Sequence, residues 1–211
     1  MLERWARKVS AGLVSAIAAV LGRLGLNANT VTVLGCAIQV AVGVLLAYGY
    51  QALGGALLAL GAGCDAIDGA LARSMGGATK FGAFLDSVLD RVSEAALFLG
   101  LGWWYMTRGD YVVAMMAFLA IVGSILVSYA RAKSEAIGVE CRVGFFTRVE
   151  RMVLLVVVLL FGWAPIGMWI MAIGTLLTAA HRILHVYLQT RREALAAAKE
   201  RRAVLGSQHG S

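Results

Sequence analysis

Four aspartates stand at fixed intervals in otherwise apolar sequence: Asp65, Asp68, Asp86 and Asp90. On helices, Asp65 and Asp68 at i, i+3 share one face, and Asp86 and Asp90 at i, i+4 share another. Two antiparallel helices joined by a turn near Gly77 can bring those faces together. Carboxylates gathered in this way repel, each raising the others' proton affinity, and a divalent cation removes the conflict. The donors are all oxygen apart from the neighbouring Cys64, which favours Mg2+ or Mn2+ over zinc or copper. Such ions pair protein carboxylates with substrate phosphates, and two of them can clamp the attacking and leaving oxygens of a phosphoryl displacement. Gly69, Ala72 and Gly82 keep the walls small where a bulky ligand must approach. Arg73 is placed to meet a phosphate or to help neutralise the acids.

A salt-bridge network is the competing reading of the same carboxylates. Arg73 and Arg91 supply one cation for every two acids, so that network is left under-neutralised in apolar surroundings. The surroundings are apolar indeed: 60% of the 211 residues are hydrophobic, 15% are charged, and mean hydropathy is +0.79. A soluble domain carries about 25% charged residues, so this composition is that of an integral membrane protein. Cys36, Cys64 and Cys141 are too widely spaced for a disulfide framework or a zinc pattern and read as small buried hydrophobes. The net charge of +7 sits mostly at the ends of apolar runs, which favours lipid headgroups and anionic substrates and argues against nucleic acid.

The elements that must position the acids are all helical. Trp5, Val9, Leu13, Ile17 and Val20 recur at helical spacing among Arg4, Arg7, Lys8 and Arg23, as in an amphipathic helix lying in the membrane interface over residues 1–24. Six transmembrane helices follow in a core over residues 30–190. The first, capped at Asn29 or Thr30, runs to Tyr48; the second starts at Ala52 and leads into Asp65; the third covers Phe81 to Tyr105. The fourth covers Tyr111 to Ala136, the fifth begins with Arg148, Glu150 and Arg151, and the sixth follows the Pro165 break and ends near Leu188. Gly54, Gly55, Gly61 and Gly63 allow close helix approach. Arg191 to Val204 form a basic helical tail, and 206–211 read as an appended remnant in which His209 carries no weight, so the domain is 1–205. Only Arg108 of the nineteen Lys and Arg falls on the side opposite the acids, which puts both termini and the acidic site on the cytoplasmic side of the cell membrane.

Written as D-x2-D-G-x2-A-R-x8-G-x3-D-x3-D, the stretch from Asp65 to Asp90 resembles without departure the signature of the CDP-alcohol phosphotransferase family, integral membrane enzymes of phospholipid synthesis. The resemblance implies transfer of a phosphatidyl group from a CDP-lipid to an acceptor hydroxyl, with release of CMP. It implies that Asp65, Asp68 and Asp86 hold the metals that bind the CDP pyrophosphate, that Asp90 completes the site and deprotonates the hydroxyl, and that Gly69, Ala72, Arg73 and Gly82 line the CDP pocket. A homodimer is implied as well. A hydroxyl nucleophile needs a base within reach and a pyrophosphate leaving group needs charge neutralisation, so the residues fit these roles.

Five further cations, Arg131, Lys133, Arg148, Arg151 and Arg182, surround a site already charged by substrate phosphates, which points to an acceptor carrying its own phosphate. Arg182 lies inside an apolar run, where a buried anion partner is expected. His181 and His185 flank it and read as interfacial packing. The Leu24-Gly25-Leu26 to Thr32 lead-in and the Ser128 to Glu135 segment resemble the branch that makes phosphatidylinositol phosphate and the related archaeal ether lipids. The start of the fifth span, Thr147-Arg148-Val149-Glu150-Arg151, keeps that branch's two arginines but lacks its first Glu and its Pro. Inositol phosphate is therefore the expected acceptor, with glycerol 3-phosphate the alternative. A cation transporter would need polar groups continuing to the far side of the bilayer, and the outer halves of these helices are apolar.

Overall fold

An uncharged run of twenty residues behind an asparagine cap makes the first described helix, α1 (Ala28–Ala47). The computed structural model describes residues 27–61 and 79–208. After α1 come α2 (Gln51–Gly61), α3 (Lys80–Thr107), α4 (Tyr111–Ala136), α5 (Arg148–Leu160) and α6 (Ala164–Gln208), with no strand among the described residues. The amphipathic helix expected at 1–24 lies outside them, as do Asp65, Asp68, Gly69, Ala72 and Arg73.

Asn29–Ala47, Tyr111–Ala136 and Ala164–Ala196 are long and apolar enough to cross a membrane. The protein is an all-helical membrane protein. Helix α3, at 28 residues, has the length to cross but carries Lys80, Asp86, Asp90 and Arg91 in its first half and Glu94 at its middle. The expected fifth span is a helix of only 13 residues, α5, which rises about 20 Å against a hydrocarbon core of about 30 Å. The sixth span and the basic tail are one continuous helix of 45 residues, because nothing between Leu188 and Arg191 breaks the pattern.

Helix ends follow local chemistry. The α1 cap is Asn27, not Asn29 or Thr30: its extended backbone lets the side-chain oxygen accept from Thr30 N at 2.9 Å and from the Thr30 hydroxyl at 3.0 Å. Helix α4 stops at Gly138, whose φ of +79° only glycine adopts at little strain. Gly138 N donates to Glu135 O and Val139 N to Ser134 O, at 3.1 and 2.9 Å, and the same pair of bonds closes α1, α3 and α5.

Helix α3 is the hub, packed on α1 and α4, while α6 packs on α4 and α5. Leu97, Phe98 and Leu101 of α3 meet Val42 and Leu46 of α1, Leu155 and Leu159 of α5, and Met168 and Met171 of α6 in one buried cluster. The crossing of α1 and α3 needs glycine on both sides. A Cβ on Gly100 would lie 2.0 Å from the Gly43 carbonyl oxygen, and one on Gly43 would lie 2.5 Å from the Ala96 carbonyl oxygen. Backbone cannot yield as a side chain can. Gly100→Ala is therefore expected to destabilise the protein by about 1–3 kcal/mol, the usual scale of overpacking. Gly35→Ala, with nothing within 4 Å among the described residues, should leave the thermal midpoint in detergent unchanged. Of the glycines expected to permit close approach, Gly54 faces Leu46 and Gly55 faces Leu159 and Leu160, whereas Gly61 faces nothing within 4 Å among the described residues and Gly63 lies outside them.

Candidate active site

Every fourth residue at the start of α3 is polar or minimal: Gly82, Asp86, Asp90 and Glu94 follow one another along a slowly winding stripe. Thr79 caps the helix, its hydroxyl accepting from Gly82 N at 2.9 Å. A Cβ on Gly82 would meet Asn29 Oδ1 at 2.8 Å, so the bare backbone there lets the start of α1 close against the start of α3. Asp86 is exposed and Asp90 half-buried.

Asp90 is the point where α3 meets α5. Its Oδ1 lies 2.8 Å from Arg148 Nη2, and its Oδ2 lies 3.9 Å from Arg91 Nη1. Arg91 also donates to the Ser87 carbonyl. One turn along α3, Glu94 accepts from Arg151 Nε at 2.5 Å on Oε1 and from Arg151 Nη2 at 2.8 Å on Oε2. Both side chains are buried, Arg151 2% and Glu94 5% exposed. Ser124 Oγ of α4 donates to Glu94 Oε1 at 3.0 Å, and Arg151 Nη1 donates to the Phe146 carbonyl at 2.9 Å. An ion pair taken out of water survives where the fork is bidentate and further hydrogen bonds complete it, and this one meets both conditions.

The remaining cations are placed differently from one another. Arg182 is 4% exposed, and two of its nitrogens bond carbonyls: Nε donates to Val143 O at 2.9 Å and Nη1 to Val127 O at 2.6 Å. It stitches α6 to α4 and to the loop before α5. Arg131 pairs with Glu135 at 2.9 Å on the exposed end of α4, where Lys133 is exposed too. His181 stacks on Phe145, with ring centroids 5.6 Å apart. Arg108 rests over the Trp104 ring at 4.1 Å. Of the cysteines expected as small buried hydrophobes, Cys141 is buried, Cys36 is half-buried with its thiol donating to the Leu89 carbonyl at 3.6 Å, and Cys64 lies outside the described residues.

The structure thus brings Gly82, Asp86, Asp90 and Arg148 to one end of the bundle. Arg151 stands behind them in Glu94's grip, while Asp65, Asp68, Gly69, Ala72 and Arg73 fall outside the described residues. Among the described residues no three metal-ligating side chains cluster, yet Asp86 and Asp90 one turn apart offer only hard oxygen donors, the chemistry that suits Mg2+ or Mn2+. Glu94 is absent from the sequence motif, which ends at Asp90. Its signal was the continuing step of four along α3 and a carboxylate in apolar sequence.

An archaetidylinositol phosphate synthase of Pyrococcus horikoshii is 36% identical over 164 residues, 77% of this chain and 85% of its own. A phosphatidylinositol phosphate synthase of Streptomyces avermitilis is 35% identical over 202 residues, 88% of this chain and 82% of its own. The phosphatidylinositol phosphate synthase of Mycobacterium tuberculosis, solved with CDP-DAG bound, superposes with a TM-score of 0.79 at 32% identity, covering 82% of this chain and 93% of that one. The same enzyme solved with manganese and citrate also gives a TM-score of 0.79. Residues 26–180 match the CDP-alcohol phosphatidyltransferase family, and with relatives this similar over most of its length the chain belongs to that family.

Proposed function

We propose that this membrane enzyme transfers the phosphatidyl group of CDP-diacylglycerol to a hydroxyl of inositol phosphate, giving phosphatidylinositol phosphate and CMP. The observation that carries the reading is the 2.8 Å contact between Asp90 and Arg148. It places a carboxylate able to take a hydroxyl proton next to a guanidinium able to hold a phosphate, as a phosphorylated alcohol requires. The names of the relatives, and CDP-DAG in the M. tuberculosis enzyme, support the donor and the acceptor.

In this reading the acceptor hydroxyl loses its proton to Asp90 and its oxygen forms a bond to the lipid-side phosphorus. The bond from that phosphorus to the bridging oxygen breaks, and CMP leaves. Asp65, Asp68, Asp86 and Asp90 would hold divalent cations, Mg2+ or Mn2+, two ions in this reading. When bound, the metal neutralises the pyrophosphate and the charge growing on CMP. Gly69, Ala72, Arg73 and Gly82 line the CDP side. Arg148 leads the acceptor side, with Arg131 and Lys133 at its exposed margin and Arg151 and Arg182 behind it. The domain spans 1–205, with six membrane helices and an interfacial helix at 1–24; both termini and the site face the cytoplasm, and the chain works as a homodimer.

The test is CMP release by purified protein with CDP-diacylglycerol and Mg2+ or Mn2+, offered inositol 3-phosphate, glycerol 3-phosphate, serine or inositol. Inositol 3-phosphate is expected to give the highest kcat/KM. Preference for glycerol 3-phosphate would move the acceptor, and no release with any of the four would sink the reading. Arg148→Gln should raise KM for the phosphorylated acceptor about tenfold, one charge-assisted hydrogen bond's worth, and KM for CDP-diacylglycerol far less.

A further inference from the structure

Two carboxylates of α3 and two arginines of α5 form a ladder: Asp90 with Arg148, and Glu94 with Arg151. The rungs lie four residues apart on α3 and three apart on α5, so each pair sits about one turn from the other. The outer rung is partly open, with Arg148 29% and Asp90 18% exposed, while the inner rung is sealed. Only the outer rung can meet a substrate. The inner one has every polar atom committed: Glu94 to Arg151 and Ser124, and Arg151 to Glu94 and the Phe146 carbonyl.

We propose that Glu94 is a positioning residue for the acceptor site, acting through Arg151 to fix the angle and height at which Arg148 is presented beside Asp90. This rests on the reading of Arg148 and Asp90 given above. Three observations carry it. Helix α5 has 13 residues and begins directly after a loop; its first turn is closed locally by Glu150, which accepts from the Thr147 hydroxyl, and nothing in that local cap sets the turn's place against α3, so the placing falls to an outside anchor. The anchor comes from Glu94, which joins α3, α4 and α5 at one buried carboxylate. The same arginine ties down Phe146, two residues before Arg148, from the chain side. Arg182, holding Val143 by its carbonyl, fixes the middle of that loop. A flexible surface Arg148 would spend its binding energy on ordering, whereas an anchored one meets the phosphate already placed.

Glu94→Gln tests the idea with the shape kept and the charge removed. The expected result is KM for inositol 3-phosphate raised about tenfold, with KM for CDP-diacylglycerol changed less than about twofold, because one charge-assisted fork is weakened behind the acceptor side alone. Arg151→Gln should give a similar rise, and the double variant Glu94→Gln with Arg151→Gln should be no worse than either single one, since the two act as a unit. Direct binding of phosphate by Arg151 predicts instead that Arg151→Gln exceeds Glu94→Gln and that the effects add. Acceptor KM unchanged in Glu94→Gln, or both KM values and the thermal midpoint moving together, would overturn the proposal. The acceptor reading has its own control: if wild-type protein releases CMP better with glycerol 3-phosphate, the variants are measured with that acceptor and the same pattern is required. Should wild-type protein use no acceptor, binding of inorganic phosphate measured by calorimetry replaces KM, and equal affinity in wild type and Glu94→Gln overturns the proposal independently of the reaction.

Discussion

Asp90→Asn is expected to lower CMP release by about 10³-fold while leaving CDP-diacylglycerol affinity within a few-fold of wild type, the range over which a positioned general base acts. The substitution keeps the size of the side chain and an oxygen for Arg148 to approach, so the joint between α3 and α5 persists. What disappears is the basic oxygen and one negative charge toward the metal. Donor binding draws on Asp65, Asp68 and Asp86 as well and so should fall less than turnover. Turnover within tenfold of wild type would remove Asp90 from the role of base. Donor affinity falling in step with turnover would instead make it chiefly a metal ligand. Single-turnover CMP release beside equilibrium donor binding separates the two.

The same residue shows how far the sequence could be read. Asp86 and Asp90 were legible because carboxylates in apolar sequence have few explanations, and because the step of four residues is a property of the helix itself. Helix α3, read from the sequence as Phe81 to Tyr105, runs from Lys80 to Thr107, bounded by the Thr79 cap and by Gly109 just past the end, both local signals. Both ends of α5 were legible, at Arg148 and at the break before Pro165, where Gly162 has φ +71°; harder to read was that the 13 residues between them are short for the span that their apolar character suggests.

The five cations were harder still. Sequence gives their type and their place at helix ends, and from these all five read alike as phosphate ligands. Their fates depend on partners distant in the chain. Arg151 finds Glu94 57 residues away, and Arg182 finds the Val127 carbonyl 55 residues away. A buried guanidinium has five donors, and Arg182 gives two of its nitrogens to carbonyls that lie within reach, contacts that no reading of helix ends could show. Arg148 differs because its partner is itself part of the motif.

Removal of divalent metal is the second large effect. Chelation with EDTA is expected to bring CMP release to background, and addition of Mg2+ or Mn2+ to restore it, while Zn2+ should fail because the four aspartates supply hard carboxylate oxygens. The physical ground is charge. Four aspartates facing a pyrophosphate repel it unless cations stand between, and loss of that neutralisation removes several kcal/mol of transition-state stabilisation. Folding should be nearly indifferent, since the cluster of Leu97, Phe98 and Leu101 and the Glu94–Arg151 rung hold α3 without metal. Activity and thermal midpoint therefore separate: EDTA should abolish the first and move the second by only a few degrees. Undiminished CMP release in EDTA would refute the metal role of the aspartates. Collapse of the thermal midpoint would make the metal a structural brace, and the burial of the α3 core would then be insufficient to hold the bundle that presents Asp90 to its substrates.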